Sequence, residues 1–148
     1  MKGFYEMEDD DEIEVPASLC TVVALQIAIK EAKAVTTDGQ YAYLVSLAKR
    51  LVSFGDPREL WDMRIKPIDQ YFELCAKGNL LGNLNIRLYF KLLDQWNEVV
   101  ILKSWKKEIE GKTPRHIILN LDDRLEDYVD WKINQHGLQR APLIYRSM

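Results

Sequence analysis

Seven basic side chains, Arg87, Lys91, Lys103, Lys106, Lys107, Lys112 and Arg115, crowd the stretch from 86 to 115, interleaved with Tyr89, Trp96 and Trp105. Against Asp94, Glu98, Glu108 and Glu110 this stretch nets +3. Arginine grips a phosphate through two parallel hydrogen bonds, lysine adds charge, and tyrosine stacks on a base or bonds a phosphate. Such a surface suits single-stranded RNA. Strand alternation sends Arg87, Tyr89 and Lys91 to one face and Ile86, Leu88 and Phe90 to the other. Any half-exposed strand shows the same interleaving, so composition alone leaves a plain solvated face as the alternative.

Other chemistry has little to rest on. The sequence contains no glycine-rich phosphate loop, no CxxC pair and no HExxH, and His116 and His136 are too far apart for a local metal site. Neither a metal nor a small-molecule cofactor is expected. A lone histidine without an orienting partner reads as a surface or helix-end residue. The adjacent Asp122 and Asp123, on a helix whose apolar face is already assigned, read as solvated carboxylates. Cys20 and Cys75 read as two reduced, partly buried thiols.

These side chains need elements to position them. Ser18 is placed to cap a helix running to about Val35, with Leu19, Val22, Val23, Ile27 and Ala34 inward, although Thr21 to Ile29 equally suits a buried strand. Asp38 is a natural N-cap for a second helix carrying Tyr41, Leu44, Val45, Ala48, Leu51 and Val52 at helical spacing. Lys49 and Arg50 suit its negative end, and Gly55 with Pro57 stops it. Tyr71 to Ala76 reads as a strand, followed by a loop through Lys77-Gly78-Asn79 and Gly82-Asn83. Leu84 to Leu92 and Glu98 to Trp105 then form a hairpin around Asp94-Gln95-Trp96-Asn97. Thr113 and Pro114 pair as N-cap and first helical residue, opening a closing helix with Ile117, Ile118, Leu121, Leu125, Tyr128 and Val129 on one stripe. The expected class is α+β, with N-terminal helices packed on a small antiparallel sheet and a closing C-terminal helix.

A chain of 148 residues, 47% hydrophobic and 29% charged, suits one globular domain. Its boundaries are expected at 15–133, between an acidic flexible leader at 1–14 and an irregular tail at 134–148. The leader nets −6 and the remainder +3, so a leader folded back on the basic body would compete with a polyanion. The apolar run Leu19 to Ile29 is far shorter than the roughly 20 residues of a membrane span. The acidic start is unlike a secretory signal, and a cytoplasmic protein with no membrane partner is expected.

The helix ending LVSFG at Gly55, the strand YFELC, the strand NIRLYF, then EVVILKSWKK and KTPRHIILNLDDRLEDYV through Val129, resemble in order and spacing the RelE/HigB/ParE toxin superfamily, particularly its HigB-like, phage-derived branch. The resemblance covers about residues 41–131. It implies a RelE-like fold and ribosome-dependent cleavage of mRNA without a metal. It also implies a cognate antitoxin that covers the basic face. By motif, Arg87 matches the strand arginine, Tyr89 the following aromatic, Lys106 and Lys107 the lysine pair, and Arg124 and Tyr128 the closing-helix pattern. The implied catalytic set is therefore Arg87, Tyr89, Lys106 and Lys107. Lys91, Lys103, Lys112, Arg115, Arg124 and Tyr128 are expected to bind RNA. The family strand usually reads ELR, whereas Cys75 follows Glu73-Leu74 here. A second alignment places Arg64 at that position, and the general base stays unassigned. Two further readings stand beside this one: a non-nucleolytic toxin of the same fold, and a non-catalytic binding protein of a phage or mobile element.

Overall fold

A computed structural model of the chain describes residues 20–54, 60, 62–108 and 111–135. Strand β1 (Thr21–Ala24) leads almost directly into helix α1 (Gln26–Val35), followed by α2 (Asp38–Lys49) and a 3-10 turn at Arg50–Ser53. Strands β2 (Ile65–Ile68), β3 (Tyr71–Ala76), β4 (Ile86–Leu93) and β5 (Glu98–Lys106) come next, and α3 (Arg115–Asn134) closes the described chain. The sheet order is β1-β5-β4-β3-β2. β2 to β5 pair antiparallel and β1 pairs parallel with β5, so the class is α+β and the sheet is mixed rather than wholly antiparallel.

Local sequence explains most of these boundaries. The two readings of Thr21 to Ile29 divide the segment between them, because the chain is strand to Ala24 and helix from Gln26. Val22 and Val23 are buried as expected, but Ala34 is exposed rather than inward. Ser18 and Leu19 lie outside the described residues, as do the leader, Gly55, Pro57 and residues 136–148. The N-cap of α2 is Thr37, one residue before the expected Asp38. Its side chain accepts from Gln40 N at 3.2 Å while Gln40 Oε1 accepts from Thr37 N at 3.0 Å, a reciprocal capping box. Strand β2 escaped the sequence reading because Pro67 cannot donate to a ladder, and it lies at the sheet edge, where proline is tolerated.

α3 begins at Arg115 with Pro114 in the N-cap position, one residue later than expected. Thr113 does not cap it, because the Thr113 hydroxyl is bonded to Tyr89 OH at 3.0 Å. The helix continues to Asn134, past the boundary expected at 133.

The two sheet faces are dressed differently. Phe54, just after the 3-10 turn, packs edge-on against Phe72 and Phe90 at centroid distances of 4.9 and 5.2 Å. By alternation, Tyr71, Glu73, Arg87 and Tyr89 occupy the opposite face, and α3 lies over that one. There Tyr71 OH donates to Asp122, so Asp122 is a bonded carboxylate rather than a solvated one. Tyr128 OH donates to Glu98 Oε1 at 2.6 Å, and Lys132 Nζ lies 3.0 Å from Glu98 Oε2. Tyr89 pairs with Lys103 but Phe90 pairs with Ile101, which makes Leu102 the extra residue of a β-bulge. Arg124 Nη1 donates to the Leu102 carbonyl at 2.8 Å, and both its terminal nitrogens bind the Glu31 carboxylate at 3.0 and 2.7 Å. Glu31 also accepts from Ser104 N and pairs with Lys103, so one carboxylate ties α1 and α3 to β5.

Two outcomes follow for stability. Leu121 is fully buried, so Leu121→Ala should cost roughly 2–5 kcal/mol by urea denaturation, and a loss below about half a kcal/mol would mean that α3 is not docked. Leu125 is only half-buried and its truncation should cost less. Burial acts to raise the Glu31 pKa, but the bonds and charges of Arg124 and Lys103 outweigh it and hold the carboxyl below its ordinary value. The stabilisation is then present above the unfolded-state pKa of about 4.3 and disappears as pH falls through the lower folded-state value. The melting-temperature gap between the parent and Glu31→Gln should therefore be widest near pH 7 and close on acidification; a gap independent of pH would contradict the ion-pair account.

Candidate functional site

Strand register brings Glu73 of β3 opposite Tyr89 of β4, with Arg87 two residues earlier on the same face. All three are buried, at 3%, 0% and 3% exposure. The Arg87 and Tyr89 side chains were expected on an open RNA-binding face of the strand. Their burial corrects that, because α3 and the loop before it cover this face. Tyr89 OH donates to Glu73 Oε2 at 3.1 Å, and Arg87 Nε lies 3.2 Å from the same oxygen. That last contact is an ion pair without hydrogen-bond direction: among the described residues neither Nε nor Nη1 of Arg87 has a hydrogen-bond partner. Lys66 Nζ stands 4.0 Å from the other oxygen, Oε1.

Glu73 forms part of an open cleft of about 700 Å³. Lys66 and Asp69 line it from the β2 side, Lys107, Lys112 and Thr113 from the segment joining β5 to α3, and Arg115 from the first turn of α3. Four cationic side chains thus surround two carboxylates. The N-terminus of α3, which lacks a side-chain cap, adds the positive end of its dipole to the same wall. Gly111, with φ +123°, shapes the turn there, and Lys107 Nζ donates to its carbonyl. Burial and the Glu73 carboxylate push the Tyr89 phenol well above its ordinary pKa, against the hydrogen bond from Thr113. Tyr89 is therefore a neutral donor to Glu73 at physiological pH and a poor proton acceptor.

The ten residues expected from sequence separate into distinct groups. Lys107, Lys112 and Arg115 line the cleft, while Arg87 and Tyr89 stand behind it, both against Glu73. Lys106 is exposed and pairs with Glu108 at 3.6 Å, away from the cleft lining. Lys91 donates to the Gln70 carbonyl at 3.0 Å and sits over the Tyr71 ring. Lys103, Arg124 and Tyr128 are committed to Glu31 and Glu98, and these bonds hold helices to the sheet instead of leaving a continuous basic surface. Glu73, Lys66 and Thr113 were missed. An acidic residue amid the apolar letters of Tyr71 to Ala76 was the one available signal, since an inward charge in a strand needs a partner. Among the described residues no group of three or more His, Cys, Asp or Glu side chains is arranged to hold a metal ion, and no helix is long and apolar enough to cross a membrane.

Comparison with protein-family models, with curated proteins and with solved structures finds no match to this chain.

Arg87 neutralises a buried carboxylate, so its removal should be felt by the fold as well as by any chemistry. Arg87→Ala should cost about 3–5 kcal/mol in urea denaturation, because Glu73 would keep the Tyr89 hydrogen bond but only Lys66, at 4.0 Å, as a charge partner. Arg87→Lys should recover part of that loss. A loss below about half a kcal/mol would show that water reaches and solvates this pair.

Proposed function

We propose that this chain is the toxin of a toxin–antitoxin pair, a RelE-like endoribonuclease that cuts mRNA on the translating ribosome and is neutralised in the cytoplasm by a small antitoxin protein. The observation that carries the reading is a cationic cleft with a buried carboxylate in its lining: Glu73 backed by Arg87 and Tyr89, with Lys66, Lys107, Lys112 and Arg115 around it. Phosphates enter such a cleft by charge, and cations on opposite walls stabilise the charge that develops on a phosphate under attack. Lys107 takes the part of the family's lysine pair, because it lines the cleft and Lys106 does not. Arg87 acts through Glu73 as a positioning residue.

The near-complete burial of Arg87 and Tyr89 favours a second reading, in which their network only supports the fold and the cleft binds RNA without cutting it. Inducible expression, with growth and transcript integrity followed together, separates the two. Growth arrest accompanied by cut transcripts is expected, with both effects lost in the double variant Lys107→Ala with Lys112→Ala. Arrest with intact transcripts would point to a non-nucleolytic toxin, and retained RNA without cleavage or arrest to the binding protein.

A further inference from the structure

We infer that Glu73 is the general base of this cleft, taking the proton of a ribose 2′-hydroxyl on its Oε1 oxygen. The inference deepens the ribonuclease reading and rests on it. A base must be aimed, and the two oxygens of Glu73 are unlike. Oε2 is anchored by Tyr89 OH at 3.1 Å and by the Arg87 guanidinium at 3.2 Å. Among the described residues Oε1 has only Lys66 Nζ, at 4.0 Å and itself a cleft residue, so this is the oxygen left for a substrate. The Tyr89 hydrogen bond and the Arg87 charge hold Oε2 from one side and restrain the carboxylate there.

The competing acceptors are weaker. Tyr89 is buried and holds its proton. The Thr113 hydroxyl is bonded to Tyr89. Asp69 lines the cleft too, but it is exposed in the turn between β2 and β3, with no described partner holding its carboxylate in one orientation.

In the step itself, the 2′-hydroxyl proton passes to Glu73 Oε1 and the 2′-oxygen forms a bond to the adjacent phosphorus. The bond from phosphorus to the 5′-oxygen breaks, and that oxygen takes a proton from water. The products are a 2′,3′-cyclic phosphate and a 5′-hydroxyl end. Glu73 gives its proton to the hydroxide left behind, which restores both the carboxylate and the water.

The test uses the full chain with ribosomes carrying a defined mRNA, and reads cleavage rate against pH alongside binding of a 2′-O-methyl RNA that cannot be cut. The parent should cut, at a rate that falls on acidification. Glu73→Gln should lower the rate by about a hundred- to ten-thousandfold and abolish that acid limb, while binding of the uncleavable RNA persists. Should Glu73→Gln fail to fold by circular dichroism, Glu73→Asp decides: it keeps the charge but withdraws the oxygen, and should cut up to about a hundredfold more slowly with the acid limb intact. A folded Glu73→Gln at the parent rate, a Glu73→Asp as fast as the parent, or an acid limb that vanishes in Asp69→Asn instead, would overturn the assignment while leaving the ribonuclease reading in place. A parent chain that cuts no RNA would overturn both.

Discussion

A carboxylate held almost entirely out of water has to be compensated, and in this protein the compensation of Glu73 organises the sheet face that α3 covers. Transfer of an unpaired carboxylate into the interior costs many kcal/mol, so Glu73 requires Arg87 beside it and a donor from Tyr89. Tyr89 in turn engages Thr113, the residue just before Pro114. The entry of α3 is thereby tied to the middle of the sheet through a side chain that a helix would otherwise use as its cap. A single buried charge links β3, β4 and the loop that forms one wall of the cleft.

The far end of α3 is fixed by different means, which is why its N-terminus can stay open. Arg124 satisfies the carbonyl exposed by the Leu102 bulge and closes on Glu31 of α1. One turn further on, Tyr128 and then Lys132 close on Glu98 at the start of β5. Charge-assisted bonds to a carboxylate are about twice as strong as neutral ones, and these are distributed along the helix. With the helix held this way, its first turn needs no side-chain cap of its own. The uncapped amides and the positive end of the dipole are left beside Lys112 and Arg115, where an anion would gain most from them.

Much of the scaffold is legible in the sequence. The bounds of Tyr71–Ala76, the Glu98 strand start, the Asp94 to Asn97 turn and the stripe of α3 all follow from periodicity and turn chemistry that act locally. The parallel strand β1 was only half visible, since a four-residue apolar run flowing into an amphipathic helix has no boundary of its own. β2 was hidden by Pro67. The site was less legible, for a physical reason: burial of a charge is decided across strands. Arg87, Lys91, Lys103 and Arg124 look alike in sequence, yet each is assigned by a partner 14 to 93 positions away, Glu73 for the first and Glu31 for the last.

The same distinction bears on how the basic composition of residues 86–115 should be understood. If charge alone had set the surface, all seven cations would be equivalent contributors to a field that attracts a polyanion. The fold instead commits Arg87 and Lys103 to buried or partly buried carboxylates, Lys91 to a carbonyl, Lys106 to a neighbouring glutamate and the buried Lys107 to the Gly111 carbonyl, which leaves Lys112 and Arg115 exposed beside Lys107 at the cleft. Lys66, which lies outside that stretch, joins them from the opposite strand. The effective cationic surface is thus smaller than the composition suggests and concentrated at one cleft that also holds Glu73 and Asp69. A long basic stripe would grip a polyanion at many points of comparable strength. Four cations gathered over about 700 Å³ together with Glu73 and Asp69 instead make one compact cleft with a local positive excess.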